Sequence, residues 1–183
     1  MKESIKDLMV REPEALERAL GVVNDNLIRY ARASLERGTS GIFLSVPATA
    51  EDLTLAQYER FMRPFDLAFL KGIEGRGECH VVHLHGTKLF LDRLVDYPVH
   101  VLSWADLNGG PAIAEMRRLT DRTLMAGIDH VQFANVSAQA IREQVAAARK
   151  AAGDTRFILA PGCSVPTYTY PPLIHAAVKA SQA

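Results

Sequence analysis

The chain has 183 residues, of which 48% are hydrophobic, and its 21 basic and 21 acidic side chains give a net charge of zero with histidine neutral. This length allows one domain, residues 1–183, with a sizeable core, and the balanced charge argues against nucleic acid or a membrane as a partner. No apolar run approaches the roughly 20 residues of a membrane span, and the N-terminus is unlike a signal peptide. Two cysteines, Cys79 and Cys163, are too few for a disulfide framework, so we expect a cytoplasmic protein.

The first predicted element is a long helix over residues 12–37. Apolar residues recur there at helical spacing, and Gly38 is placed to end the helix in a left-handed conformation. We expect the apolar stripe to form the buried face of this helix. It consists of Leu16, Leu20, Val23, Leu27, Ala31 and Leu35.

Short apolar strands alternate with helices in the rest of the chain. Thr54 and Gln57 have the spacing of a capping box, and Pro64 predicts a break between two helices because it cannot sit inside one. Thr87 is placed to cap a further short helix. The predicted elements are strand 41–46, helices 55–62 and 64–74, strand 79–85, the helix after residue 87, strand 99–104, helix 111–119, strand 122–128, helix 137–153, strand 156–161 and helix 172–180.

This alternation predicts an α/β protein with a parallel sheet and right-handed crossovers. Eight strand–helix units close a TIM barrel, so about five units predict an incomplete barrel of the same kind. Parallel sheets and barrels bind ligands at the carboxyl ends of their strands. Polar residues collect at those ends: Ser45, His83, His85, Ser103, Asp106, Asp129, His130 and Cys163.

Two histidines and one cysteine among these residues form a candidate metal site. His83 and His85 point to the same side because side chains alternate along a strand, and Cys163 follows another apolar strand. Two nitrogens and one sulfur form a ligand set that zinc accepts with its fourth position left free. Cys79 precedes His83 by about 13 Å of strand, too far to join the same ion, so we interpret it as structural.

Five stretches, spread in order over nearly the whole chain, carry a family pattern. They are LAQYERFMRP at 55–64, HLHG at 83–86, LSW at 102–104, MAGID at 125–129 and ILAPGCSVP at 158–166. In them the chain resembles the C-terminal half of the uroporphyrinogen decarboxylase superfamily, which includes zinc-dependent methyltransferases that act between corrinoid proteins and thiols such as coenzyme M. Members form a complete barrel roughly twice this length, so the resemblance implies that this chain supplies about the last five strands.

The resemblance implies a zinc cofactor and a methyltransferase activity. The methyltransferase branch binds zinc through a His-x-Cys pair and a later cysteine; by position His83 matches the first ligand and Cys163 the last, whereas His85 replaces the middle cysteine. The expected substrate is a small molecule, namely a thiol, a corrinoid or a tetrapyrrole. Imidazole in place of thiolate makes the metal a harder Lewis acid.

Further residues are candidates for catalysis or substrate binding, and Asp129, Ser45 and Trp104 each have a structural alternative. Asp129 orients a metal-bound histidine or caps a turn, His130 shuttles protons, and Asp106 is a third catalytic candidate at the rim. Ser45 contacts substrate or makes a local hydrogen bond, and Trp104 is a substrate-pocket wall or a core residue.

Two other functions stay open on the sequence alone. Decarboxylases of the same superfamily act on tetrapyrroles without a metal. They use an aspartate and an arginine-bearing N-terminal segment, and this sequence shows no counterpart of that segment. A partial barrel could instead serve as a non-catalytic binding or assembly module. In every case the two unpaired edges of an incomplete barrel favour a homo-oligomer or a partner that supplies the missing strands.

Overall fold

The structure is a computed structural model that describes residues 3–182. Its centre is a single five-stranded sheet in which the strands follow chain order, β1-β2-β3-β4-β5, and every neighbouring pair is parallel. The predicted α/β fold with parallel strand–helix units is confirmed. The strands are β1 (Phe43–Pro47), β2 (Val81–His85), β3 (Val101–Trp104), β4 (Thr123–Ile128) and β5 (Phe157–Pro161).

Helices precede, connect and follow the strands, as crossovers between parallel strands require. They are α1 (Glu3–Arg11), α2 (Pro13–Glu36), α3 (Leu55–Phe61), α4 (Arg63–Gly72), α5 (Ile113–Leu119), α6 (Ala138–Ala152) and α7 (Pro171–Ser181), with a short 3-10 helix at Leu91–Arg93. Among residues 3–182, none of these helices combines the length and apolar character needed to cross a membrane.

The local signals at helix ends acted as predicted. Thr54 Oγ1 accepts the Gln57 N–H at 3.2 Å, and Gln57 Oε1 accepts the Thr54 N–H at 2.9 Å, which completes the capping box of α3. The helix then breaks at Met62, and Pro64 lies in the first turn of α4. Gly38, just after α2, has a φ of 96°, a conformation that residues with a Cβ rarely adopt.

The buried face of α2 matches the predicted stripe at both ends but not in the middle. Leu16, Leu20, Ala31 and Leu35 are buried or pack against the core, as predicted. Val23 and Leu27 are instead 53% and 46% exposed, and Asn24 and Ile28, one residue later, take their places. Ile28 meets α4 at Gly72, where an added Cβ would lie 2.8 Å from Ile28 Cγ2, so the approach of α4 selects the face.

One predicted helix does not form, and one helix was not predicted. Thr87 caps no helix: its backbone N–H donates to Glu51 Oε2 at 3.1 Å, and the chain just after it pairs with the loop after β1 through an antiparallel bridge between Leu89 and Thr49. Only the 3-10 helix at Leu91–Arg93 forms before β3. Helix α1 was not predicted, and it packs on α2.

One face of the sheet forms the core with the surrounding helices. Apolar residues that alternate along β2, β3 and β4 are fully buried there, since parallel sheets are covered by their crossover helices. Trp104 belongs to this core: it is fully buried and its Nε1–H donates to the Pro111 carbonyl at 2.7 Å. The other fully buried residues on this face are Val46, Val82, Leu84, Leu102, Leu124 and Ala126.

A partly buried carboxyl group, that of Asp66, lies at the edge of this core. The Tyr97 hydroxyl donates to Asp66 Oδ2 at 2.9 Å and shares a 2.6 Å hydrogen bond with the Tyr58 hydroxyl. Both tyrosines are fully buried. Burial raises the pKa of Asp66 to about 7, and the hydrogen bond from Tyr97 only partly opposes this shift. Asp66 therefore holds a proton in the folded chain at pH values where it is ionised in the unfolded chain.

This difference predicts how stability depends on pH. Because the folded chain binds the extra proton, the free energy of unfolding should fall by a few kcal/mol as pH rises from about 4 to about 7, and then level off. Asp66→Asn should flatten that decline, whereas Asp154→Asn, at an exposed acid, should not. Urea unfolding between pH 4 and pH 8 measures the effect; parallel curves for wild type and Asp66→Asn would contradict it.

Candidate metal centre

The register of the sheet places one residue from each strand in a row across its second face. Ser45 of β1 pairs with His83 of β2, His83 pairs with Ser103 of β3, and the row continues through Met125 to Ile158. Exposure rises towards the sheet edges, from 3% at Ser103 to 39% at Ile158. This face therefore has a polar centre at β2 and β3, in contrast to the apolar core on the opposite face.

Three potential metal ligands meet at the carboxyl end of this face. One ligand atom from each of His83, His85 and Cys163 lies within 4.8 Å of the other two. His83 is buried, Cys163 is partly buried and His85 is exposed. The predicted meeting of two imidazoles and one thiol is therefore observed, with an accessible side through His85.

The environment of His83 suits a neutral metal ligand. Burial, aided by repulsion from His85 and His130 when they are charged, lowers the pKa of His83 to about 4. The ring is therefore uncharged at neutral pH and keeps an unprotonated nitrogen. His83 Nδ1 lies 3.3 Å from Ser103 Oγ, whereas its Nε2 is buried without a hydrogen-bond partner among the described residues. An orphaned buried nitrogen beside a thiol and a second imidazole fits a zinc ion.

Gly162 brings Cys163 to the two histidines. The chain after β5 crosses the end of β3 so closely that a Cβ on Gly162 would lie 2.6 Å from the Ala105 Cα. The same Cβ would lie 3.3 Å from His130 Nδ1. Real side chains do not tolerate the first of these distances, so only glycine fits at this crossing.

Asp129 and His130 lie at the end of β4. Asp129 Oδ1 accepts hydrogen bonds from Asn108 Nδ2 and from the N–H groups of Val131 and Gln132, at 2.9 to 3.0 Å. This oxygen caps the turn, as the structural interpretation of Asp129 predicts. Next to it, burial lowers the pKa of His130, Asp129 opposes the shift and His85 adds to it. His130 is thus an uncharged ring beside the three ligands at neutral pH.

The other sequence candidates lie at different depths. Asp106 Oδ1 accepts the Gly127 N–H at 3.0 Å, and burial raises the pKa of Asp106. Ser45 is exposed on the same face as His83. Trp104 lies on the opposite, core face with no exposed surface, so its burial favours the core role over the substrate-pocket wall.

Ser103 and Asn108 also border the site, although no role is predicted for either from the sequence. Ser103 is the hydrogen-bond partner of His83, and Asn108 Oδ1 is buried without a partner among the described residues while its amide holds Asp129. The position of Ser103 at the end of a predicted parallel strand was the available signal for it. Asn108 had none, because loop contacts leave no periodic pattern in a sequence.

A cavity of about 510 Å³ lies elsewhere, at the amino ends of β2, β3 and β4. Its lining includes Leu70, His80, Val99 and Arg122, and none of the three potential ligands. The candidate metal centre is therefore an open site on the second face of the sheet, the face that carries His83, and it is separate from this cavity.

Comparison with known proteins agrees with this architecture. A family model described as uroporphyrinogen decarboxylase (URO-D) matches residues 1–183. A search of curated proteins finds no match. Among solved structures, a methyltransferase from Methanosarcina mazei is similar, with a TM-score of 0.82 at 20% sequence identity. The match covers 98% of this chain but 52% of that one, so the chain spans about half its length, and the likeness concerns the fold.

The crossing at Gly162 predicts a specific sensitivity of the site. Gly162→Ala should move Cys163 away from the histidines and weaken zinc binding about tenfold or more, because overpacking costs on the order of 1–3 kcal/mol. Gly21→Ala is the matched control, since a Cβ at Gly21 meets nothing within 4 Å, and it should leave zinc affinity unchanged. Competition with a chromophoric chelator measures both; equal affinities for Gly162→Ala and wild type would contradict the prediction.

Proposed function

The chain belongs to the uroporphyrinogen decarboxylase family, and we propose that within it the chain is a zinc-dependent methyltransferase that activates a thiol for methylation. The observation that carries this proposal is the convergence of His83, His85 and Cys163, with ligand atoms within 4.8 Å of one another. The similarity in fold to a methyltransferase is consistent with it. The methyl donor is a corrinoid or a similar methyl carrier.

The three residues would hold the ion in different ways. His83 would bind it from the buried side through Nε2, the ring nitrogen with no other partner. His85 would bind from the exposed side, and Cys163 would close the set from the segment after β5. Zinc, when bound, supplies a Lewis acid that keeps a substrate thiol deprotonated and therefore nucleophilic near neutral pH.

Other residues of the chain would handle the proton and the substrate. His130 is uncharged at neutral pH and would accept the proton that the thiol loses. Asp129 keeps the turn that carries His130 in place through its three hydrogen bonds. Asp106 would support the rim through Gly127, and exposed Ser45 would contact substrate from β1.

The open edges of the sheet require further strands for a closed barrel. β1 and β5 each have one neighbour among the described strands, and Phe43 and Ile158 are 57% and 39% exposed. Unpaired edges and exposed apolar residues favour association. We propose that a second copy of the chain, or another polypeptide segment, supplies the missing strands and completes the substrate pocket.

The ligand set favours the proposed function over the tetrapyrrole decarboxylase alternative. Decarboxylation in that branch needs no metal, whereas two imidazoles and a thiol around one point form a ligand set typical of zinc. A non-catalytic partial barrel would need neither a metal nor a set of metal ligands. Metal binding therefore separates the proposed function from both alternatives.

The two cysteines allow a matched test of metal binding. The chain purified without chelator should contain about one zinc ion, and Cys163→Ser should lower zinc affinity about 100-fold because a thiolate ligand is lost. Cys79→Ser should bind zinc like wild type, since Cys79 is exposed and outside the cluster. Elemental analysis and chelator competition give these values, and cobalt substitution should show the thiolate-to-metal absorption band.

A wild-type chain that binds no zinc, or one whose Cys163→Ser and Cys79→Ser variants bind equally, would overturn the proposed metal centre. The first outcome would favour the decarboxylase or the non-catalytic alternative.

The role of His130 can be tested apart from metal binding. His130→Gln should keep zinc affinity near the wild-type value but slow methylation of 2-mercaptoethanol by methylcobalamin about 100-fold at pH 7, because general-base catalysis contributes about that much. The loss should shrink as pH rises and the thiol ionises without help. Thioether formation is the measurement; a rate equal to that of wild type across this pH range would exclude His130 as the proton acceptor.

A further inference from the structure

Two serines flank His83 at the same level of the sheet. Ser45 of β1 and Ser103 of β3 are its cross-strand partners on either side. Ser103 is 3% exposed and its Oγ lies 3.3 Å from His83 Nδ1. Ser45 is exposed and makes no hydrogen bond to His83 in the described part of the chain. Of these two serines, Ser103 alone therefore contacts the imidazole through a hydrogen bond.

The contact with Ser103 leaves the two ring nitrogens of His83 in different situations. Nδ1 has the serine hydroxyl as a partner, whereas Nε2 is buried without one among residues 3–182. If Nε2 carried the proton, a buried N–H donor would be left unpaired, which is unfavourable. If Nδ1 carries it, Nδ1–H donates to Ser103 Oγ and the unpaired group at Nε2 is a lone pair, which a bound ion can satisfy.

A second contact fixes the plane of the ring. The Phe43 ring stacks on His83 with centroids 5.9 Å apart and planes inclined by 24°. Stacking permits rotation within the plane but opposes tilting, and the hydrogen bond at Nδ1 then sets that rotation. Together Phe43 and Ser103 aim Nε2 in one direction.

We propose that Ser103 is a positioning residue, which accepts the Nδ1–H of His83 and thereby fixes the tautomer and ring orientation that point the Nε2 lone pair at the metal. This inference rests on the proposed zinc centre. Ser103 contacts neither metal nor substrate; it acts through His83. Partners of this kind on a metal-bound histidine typically contribute about 10- to 100-fold to metal affinity.

The test compares three serine variants by zinc affinity and by ring protonation. Ser103→Ala should bind zinc about 10- to 100-fold more weakly than wild type, and Ser103→Thr, which keeps the hydroxyl, should recover most of the loss. Ser45→Ala removes the serine on the other side and should leave zinc affinity unchanged. Circular dichroism shows whether each variant is folded.

Nitrogen-15 NMR of the zinc-free chain provides a readout that a merely structural role would not move. The His83 ring signals, assigned by comparison with His83→Gln, should show a protonated Nδ1 in wild type. In Ser103→Ala they should show a mixture of the two tautomers. This measurement uses the serine-to-alanine variant only, so it does not depend on whether Ser103→Thr folds.

The outcomes separate this inference from the proposed function. Zinc binding by wild type and Ser103→Ala with equal affinity, or an unchanged Nδ1-protonated ring in Ser103→Ala, would overturn the role of Ser103 and leave the zinc centre intact. Absence of zinc binding by the wild-type chain would instead overturn the proposed function. An equal loss of affinity in Ser45→Ala and Ser103→Ala would point to a general effect on the sheet and also overturn the inference.

Discussion

His83 belongs to β2 and Cys163 directly follows β5, and these two strands do not touch, since β3 and β4 lie between them. In a flat sheet, three steps of about 4.8 Å would place these strands roughly 14 Å apart. The ligand atoms nevertheless lie within 4.8 Å of one another. Two features bring the ligand atoms of His83 and Cys163 together. They are the curvature of the sheet, as in barrels, and the close crossing of Gly162 over Ala105. The candidate metal centre depends on both.

Because side chains alternate along each strand, the same strands contribute one face to the core and the other face to the candidate site. Leu84 and Leu102 face the helices and are fully buried, while His83 and Ser103 face the other way. A buried imidazole and a buried hydroxyl are unfavourable unless each finds a partner, and the parallel register pairs them with each other. Packing of the apolar face against the helices therefore holds in place the strands that present the polar groups.

The family determines the fold of the chain, but the donor set determines which chemistry that fold supports. His85 stands where the resemblance places a cysteine, so a metal ion bound here would have two imidazoles and one thiolate as ligands. The ion would carry more net positive charge than with two thiolates, and a thiol bound to it would be more acidic but less nucleophilic. The five described strands leave two open sheet edges, and the proposed pairing of these edges with further strands would complete the substrate side of this centre.

The sequence alone determined the order of strands and helices, the capping box at Thr54 and the shared side of His83 and His85, because each depends on residues close together along the chain. Only the tertiary structure decided which residues are buried in the middle of α2, the loss of the helix after Thr87 and the contact of Ser103 with His83. Those features depend on which element approaches which, and packing between distant segments leaves no periodic signal in the sequence.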